Sequence, residues 1–215
     1  MAEKLLLGLD EAGRGCMMGS LCMATVIVPE ESGRAKLREW GCADSKSFGS
    51  GEVARKKRGA LYYRIMESFE SHIEIATASK VDSYVRESSI NRLEQEMARQ
   101  LMKKSKFDTA VLDGKKIFSP LTAHNIEAHN KADVTHPEVS AAGIVAKHTR
   151  DELLVATYKE LGFPDDLRGG GYPNVATLSL IVGYYKEWRK LPPNFRTSYR
   201  WQRLYDQIES MADQD

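Results

Sequence analysis

The chain has 215 residues, enough for one medium domain with a real core, and its 42% apolar and 28% charged content is that of an ordinary soluble globular protein. Lys and Arg total 31 against 30 Asp and Glu, so bulk charge offers no support for nucleic-acid binding, and any basic footprint must be local. The three cysteines, Cys16, Cys22 and Cys42, contain no C-x-x-C pair and read neither as a disulfide framework nor as a zinc site. The apolar run at residues 5–7 is too short for a signal peptide, and no stretch approaches the length of a membrane span, so the cytoplasm is the expected compartment.

Residues 4–9 form a short apolar run broken by Gly8, which reads as a buried strand ended by Asp10. Gly13, Gly15 and Gly19 then turn the chain sharply, and residues 21–28, stopped by Pro29, read as a second strand in hairpin with the first. Leu61, Ile65, Met66 and Phe69 set a helical spacing across 52–70, and the alternation of Ile73 and Ile75 predicts a third strand over 71–79. Ser88 or Ser89 caps a helix carrying Leu93, Met97 and Leu101. Residues 109–112 read as a buried strand ending at Asp113-Gly114, and 126–130 as an edge strand. From Pro137 the pattern is helical through Val139, Ile144, Val145, Leu153 and Leu154; a loop at Gly169-Gly170-Gly171, a helix over 177–188 and a helix-like tail from Phe195 follow. Strands early, βαβ alternation in the middle and helices late predict an α/β sheet flanked by helices, with a helical C-terminal part.

Four acids stand where strands should stop. Asp10 and Glu11 follow the first strand, Asp113 ends the fourth, and Asp133 lies between the edge strand and a helix. Ligand sites in open α/β sheets gather beyond strand ends. Taken singly, each acid fits a cap or a solvated turn equally well. Adjacent strand residues face opposite ways, so Asp10 and Glu11 share a site only where the strand breaks, and the glycines after them supply the break. Clustered carboxylates repel one another unless a cation holds them. Mg²⁺ takes oxygen ligands and binds one or two carboxylates plus substrate phosphate. Two such ions about 3.5–4 Å apart activate a water and stabilise the leaving oxygen of a phosphodiester. The acids therefore predict a metal-dependent nuclease.

Gly13-Arg14-Gly15 offers backbone N–H groups and a guanidinium to a phosphate or ribose. In context, Gly8-Leu9-Asp10-Glu11-Ala12-Gly13-Arg14-Gly15 closely resembles the opening motif of the ribonuclease HII family. Asp44-Ser45-Lys46 is similar to that family's second motif, and Val111-Leu112-Asp113-Gly114 to the strand bearing its third acid. Lys131-Ala132-Asp133, Pro137, Ser140-Ala141-Ala142, Ala146-Lys147 and Arg150-Asp151 resemble the block holding its fourth. Gly169-Gly170-Gly171-Tyr172-Pro173 resembles its tyrosine loop, and Arg196-Thr197-Ser198-Tyr199-Arg200-Trp201 the tail of archaeal and eukaryotic members. The resemblance implies a single RNase H-like catalytic domain over residues 1–215, a mixed sheet flanked by helices, with a helical C-terminal extension from about residue 174. It implies Asp10, Glu11, Asp113 and Asp133 as catalytic ligands of two divalent cations, Mg²⁺ or Mn²⁺. It also implies cleavage of RNA:DNA hybrids, and incision 5′ of even a single ribonucleotide in duplex DNA, leaving a 3′-hydroxyl and a 5′-phosphate. Gly13, Arg14 and Gly15 would read the ribose 2′-OH, the group that tells RNA from DNA, and Tyr172 would stack on the next deoxyribose. The length fits a self-sufficient monomer. Cys16 and Ser20 stand where the family usually has prolines, Gly143 where it has serine, and His136 where it has tyrosine.

Lys46, beside Asp44-Ser45, is placed to meet a phosphate. Lys147 and Arg150 share a helix face and read either as DNA-backbone contacts or as a solvated face. Asn91 reads as a phosphate contact or a cap. The run Arg55-Lys56-Lys57-Arg58 reads as a solvated helix face or a DNA contact. In the tail, arginines mixed with aromatics suit stacking and phosphate contact, with Tyr199 and Trp201 packing into the core. His124, His129, His136 and His148 lack ligand spacing and read as structural or solvent-facing. Two other classes remain open: a non-catalytic RNA:DNA hybrid-binding protein with the same fold, and an unrelated Mg²⁺ phosphatase built on Asp10.

Overall fold

The computed structural model describes residues 2–42, 48–49, 51–164 and 166–212. A five-stranded mixed sheet forms the centre: β1 (Leu5–Ala12), β2 (Leu21–Pro29), β3 (Glu70–Ala76), β4 (Thr109–Asp113) and β5 (Ile126–His129), in the order β3-β2-β1-β4-β5. β1–β2 and β2–β3 pair antiparallel, whereas β1–β4 and β4–β5 pair parallel. Eight of the nine β2 residues are buried, which is why β2 reads as a continuous apolar run rather than an alternating one.

Helices cover both faces. α2 (Glu52–Ser68) and α6 (Pro137–Glu160) pack Leu61, Ile65, Ile144 and Val145 against Leu6, Ala24, Val26 and Val28. On the other face α3 (Ala78–Glu87) and α4 (Ile90–Lys104) bring Val81, Leu93, Met97 and Leu101 onto Leu7, Leu9, Leu21 and Met23. A third cluster joins Met17 and Met18 to Leu154 and Tyr158 of α6, to Leu178 and Ile181 of α7 (Val175–Trp188), and to Leu204 of α8 (Gln202–Ala212). The mixed sheet flanked by helices agrees with the expected class. Among the described residues, no helix is long and apolar enough to cross a membrane.

Three helices had no sequence signal strong enough to read: α1 (Ser32–Glu39), α3 and the four-residue α5 (Lys115–Phe118). The third strand stops at Ala76, short of the expected end, because Thr77 caps α3 by accepting the Lys80 N–H at 3.3 Å. Ser89 caps α4 in the same way through the Arg92 N–H at 3.2 Å.

Candidate active site

β1 does not end at Asp10. It runs on through Glu11 to Ala12, because its pairing with β2 continues to Ala12 opposite Cys22. Its pairing with β4 covers only Leu6 to Leu9, and Leu9 lies opposite Leu112. Asp10 and Asp113 are thus the next residues beyond the last paired position of two adjacent parallel strands, at their carboxyl ends. The strand is unbroken at Asp10 and Glu11, so the break expected there is absent. Alternation turns Asp10 towards α6 and Glu11 to the opposite side, where the Arg14 charge acts on it.

The other two acids are tied together through the chain. Asp113 Oδ1 accepts the Ala132 N–H at 3.1 Å, which docks the 3₁₀ turn Ala132–Val134 against the end of β4. Lys131 takes a left-handed φ of 58° to enter that turn, a strained conformation for a non-glycine residue. Asp133 is buried just before α6 begins at Pro137. Burial pushes the Asp10 carboxyl well above its ordinary range, and the charges of Glu11, Asp113 and Asp133 push it further. Burial also raises Glu11, against the lowering effects of the Asp10 hydrogen bond and Arg14. The charges of the other three acids thus all bear on Asp10.

After Ala12 the chain turns at Gly13, whose φ of 96° favours glycine and where a Cβ would stand 2.7 Å from the Ser20 carbonyl oxygen. The Arg14 guanidinium reaches α4, donating to Asn91 Oδ1 at 2.6 Å and pairing with the fully buried Glu94. Ser89, not Asn91, caps the helix; the Asn91 side chain accepts from Arg14. The turn is joined to the tyrosine loop, since the Met17 and Met18 N–H groups donate to the Gly171 carbonyl at 2.7 and 3.2 Å. Tyr172 is 38% exposed, with Arg150 and Lys147 beside its ring at 5.3 and 5.7 Å from the centroid. Burial and the neighbouring Cys16 push its phenol up to about 12.

Lys147 and Arg150 do share a face of α6, but they differ in exposure. Lys147 is partly exposed, pairs with Asp151 at 2.7 Å, and lines a cleft of about 630 Å³ with Arg58, Arg168 and Tyr172. Arg150 is 1% exposed and turns inward. Its guanidinium donates to Asp151 Oδ1 at 3.0 Å, to Cys16 Sγ at 2.9 Å and to the Gly170 carbonyl. The expected DNA-backbone contact is corrected to an internal one: a guanidinium with these partners binds the Cys16 turn to the tyrosine loop. Arg58 of the basic run likewise faces Asp151, at 3.6 Å. Lys46, with Asp44 and Ser45, lies outside the described residues.

Glu94 escaped the sequence reading. Its signal was an acid at a stripe position of α4, in line with Ala98 and Leu101, where an unpaired carboxylate would be costly.

The profile of the family described as Ribonuclease HII matches residues 7–202. The chain belongs to the ribonuclease HII family. A ribonuclease HII of Methanococcus vannielii is 32% identical over 213 residues, covering 92% of this chain and 83% of that protein. One from Pyrococcus furiosus is 32% identical over 214 residues, covering 93% and 90%. The crystal structure of the ribonuclease H2 from Pyrococcus horikoshii superposes with a TM-score of 0.80 at 27% identity, covering 97% of this chain and 99% of that one. The chain is therefore a ribonuclease, a hydrolase of a family that depends on divalent metal ions.

The acids of this ribonuclease HII fit such an ion. The donor set is four carboxylates, all hard oxygen ligands, and the raised Asp10 carboxyl shows the crowding of negative charge that a cation relieves. Among the described residues no three His, Cys, Asp or Glu side chains form a group that could hold a metal ion. A Cβ at Gly143 would stand 2.3 Å from Asp10 Oδ2, so the glycine that replaces the family's usual serine leaves a recess on α6 which the Asp10 carboxylate occupies.

A stability consequence follows from the same charges. A carboxyl whose folded pKa lies above its unfolded value keeps its proton in the folded state after the unfolded chain has lost it. Its contribution is thus fully present below the unfolded pKa and is lost as pH rises through the folded one. The metal-free protein loses stability relative to Asp10→Asn as pH climbs above the ordinary carboxylate range of about 4. Mg²⁺, which binds only the deprotonated ligands, restores more of it the higher the pH. Thermal midpoints of both proteins, in EDTA and in Mg²⁺ across pH, measure this; a difference that does not change with pH contradicts it.

Proposed function

We propose that this ribonuclease HII incises duplex DNA 5′ of embedded ribonucleotides, single ones included, and cleaves the RNA of RNA:DNA hybrids. Asp10, Glu11, Asp113 and Asp133 would hold two divalent cations, Mg²⁺ or Mn²⁺. The observation that carries this is the join between the Gly13-Arg14-Gly15 turn and the Tyr172 loop, directly downstream of Asp10 and Glu11: the Met17 N–H meets the Gly171 carbonyl at 2.7 Å. A ribose and the sugar that follows it are then met by one connected unit beside the acids.

When bound, the cations supply Lewis-acid activation of the attacking water and stabilise charge on the leaving 3′ oxygen. The chain's own residues bind and orient. The turn meets the ribose with the Gly13 to Gly15 backbone and the Arg14 guanidinium. Tyr172 presents its exposed face to the next deoxyribose. Lys147, lining the cleft with Arg168, meets the phosphates that continue past Tyr172. Asp151 keeps Lys147 in place by their 2.7 Å contact.

Tyr172→Ala is expected to lower incision at a single embedded ribonucleotide more than cleavage of a long hybrid, because only the single site depends on sensing the following deoxyribose. Stacking losses of about 1–3 kcal/mol correspond to roughly five- to 150-fold on the single-ribonucleotide substrate. Steady-state rates on both substrates measure it, and equal losses argue against junction sensing.

A further inference from the structure

The loop over residues 13–20 lacks the prolines usual in relatives, yet its backbone is held at several points. The Cys16 N–H donates to the Gly13 carbonyl at 3.3 Å, the Gly19 N–H to Asn194 at 2.9 Å, and the Met17 carbonyl accepts the Arg196 N–H at 2.8 Å. The chain after α7 supplies the rest. Arg196, fully buried, donates through Nε to the Gly19 carbonyl at 3.1 Å and through Nη1 to the Arg14 carbonyl at 3.0 Å, spanning both ends of the loop. The Tyr199 hydroxyl donates to the same Arg14 carbonyl at 2.8 Å. This segment is itself anchored: Asp82 of α3, 6% exposed, accepts the N–H and the hydroxyl of Thr197 at 2.9 and 2.8 Å and those of Ser198 at 3.0 and 2.6 Å.

Among the described residues no carboxylate forms an ion pair with Arg196. Burying a guanidinium in that state costs several kcal/mol, so an apolar residue of similar volume would serve packing better. What the guanidinium adds is its grip on two carbonyls. The effect passes through peptide geometry. The Arg14 carbonyl and the Gly15 N–H belong to one planar trans unit and point in opposite directions. Two donors holding the carbonyl on the inside aim the Gly15 N–H outward, and they also polarise it as a donor. Gly15 itself is exposed, and a Cβ added there meets no atom within 4 Å.

We propose that Arg196 and Tyr199 are positioning residues for ribose recognition: through the Arg14 carbonyl they fix and strengthen the Gly15 N–H as a donor to the ribose 2′ oxygen. The inference rests on the ribose-reading role of the turn given above.

The test measures, in the Asp10→Asn background with Mg²⁺, the affinity ratio between a duplex with one ribonucleotide and the same all-DNA duplex. Fluorescence anisotropy on the full chain reports it. Loss of one hydrogen bond, about 0.5–1.5 kcal/mol, predicts that Tyr199→Phe lowers the ratio roughly two- to tenfold at one decade per 1.4 kcal/mol. Arg196→Met lowers it further, and Arg196→Lys, which keeps one donor, recovers part. A purely structural role would weaken both duplexes alike and leave the ratio unchanged. A folded Tyr199→Phe with the parent ratio overturns the proposal, provided Gly15→Ala, whose methyl fills the open space, abolishes the ratio. If Gly15→Ala keeps the ratio, or the parent ratio is one, the ribose-reading role fails and the proposal falls with it.

Discussion

Asp10→Asn loses on the order of a thousandfold in incision rate, keeps duplex binding, and in metal-free buffer near neutral pH is more stable than the parent. On the proposed ligand assignment, the rate loss comes from removing an anionic ligand at the shared end of β1 and β4. An amide of the same shape is a poor substitute for a hard cation's carboxylate, and about 4 kcal/mol of transition-state charge stabilisation corresponds to that factor. Binding survives because the turn, the Tyr172 loop and the cleft are untouched. The stability gain has the opposite electrostatic origin. Burial and the charges of Glu11, Asp113 and Asp133 already disfavour the Asp10 carboxylate, and the neutral amide removes that penalty. A gain in stability alongside a loss of function is the signature of a functional group held against its preference. Near-normal turnover refutes the ligand assignment, and a metal-free variant less stable than the parent refutes the electrostatic account.

The second large effect is expected at Arg150. Arg150→Met keeps an unbranched apolar stem but removes the guanidinium and its charge, leaving Asp151, 3% exposed, without its closest buried partner. Breaking a buried pair costs about 3–5 kcal/mol where the remaining charge is left alone; Lys147 at 2.7 Å and Arg58 at 3.6 Å still face Asp151 and keep the loss below that. Cys16 Sγ and the Gly170 carbonyl lose the same donor, so the join between the turn and the tyrosine loop loosens. Incision at single ribonucleotides therefore falls with stability. Were Arg150 a phosphate contact instead, stability would hold, binding would weaken for every sequence, and the slope of log affinity against log salt would drop by about one. Denaturant unfolding and binding over a salt series separate the two outcomes.

The sheet was legible because its strands carry short apolar runs bounded by glycine and proline, and because Asp10, Glu11 and Asp113 stand where those runs stop. Asp133 was legible only from the block around it. What was not legible depends on partners distant in sequence. The Asp10–Glu11 pair suggested a broken strand, since the longer reach of β2 than of β4 along β1 leaves no local trace. Arg150 and Lys147, three residues apart, look alike as letters, and only Cys16, more than a hundred residues away, decides that one turns inward. Arg196 suggested phosphate contact for the same reason, whereas its donors go to Arg14 and Gly19. Helices α1, α3 and α5 are short and carry too few apolar residues at helical spacing to stand out. Gly143 was visible as a departure from its relatives, but its consequence needed the position of the Asp10 carboxylate.

The central claim is incision at an embedded ribonucleotide, and the direct measurement is nicking of a labelled DNA duplex containing one ribonucleotide, with Mg²⁺ or Mn²⁺ and with EDTA. The account predicts a single metal-dependent nick on the 5′ side of the ribonucleotide, with a 3′-hydroxyl and a 5′-phosphate, and no cut in the all-DNA duplex. Tight binding without incision, or cleavage that ignores the ribonucleotide's position, would contradict it.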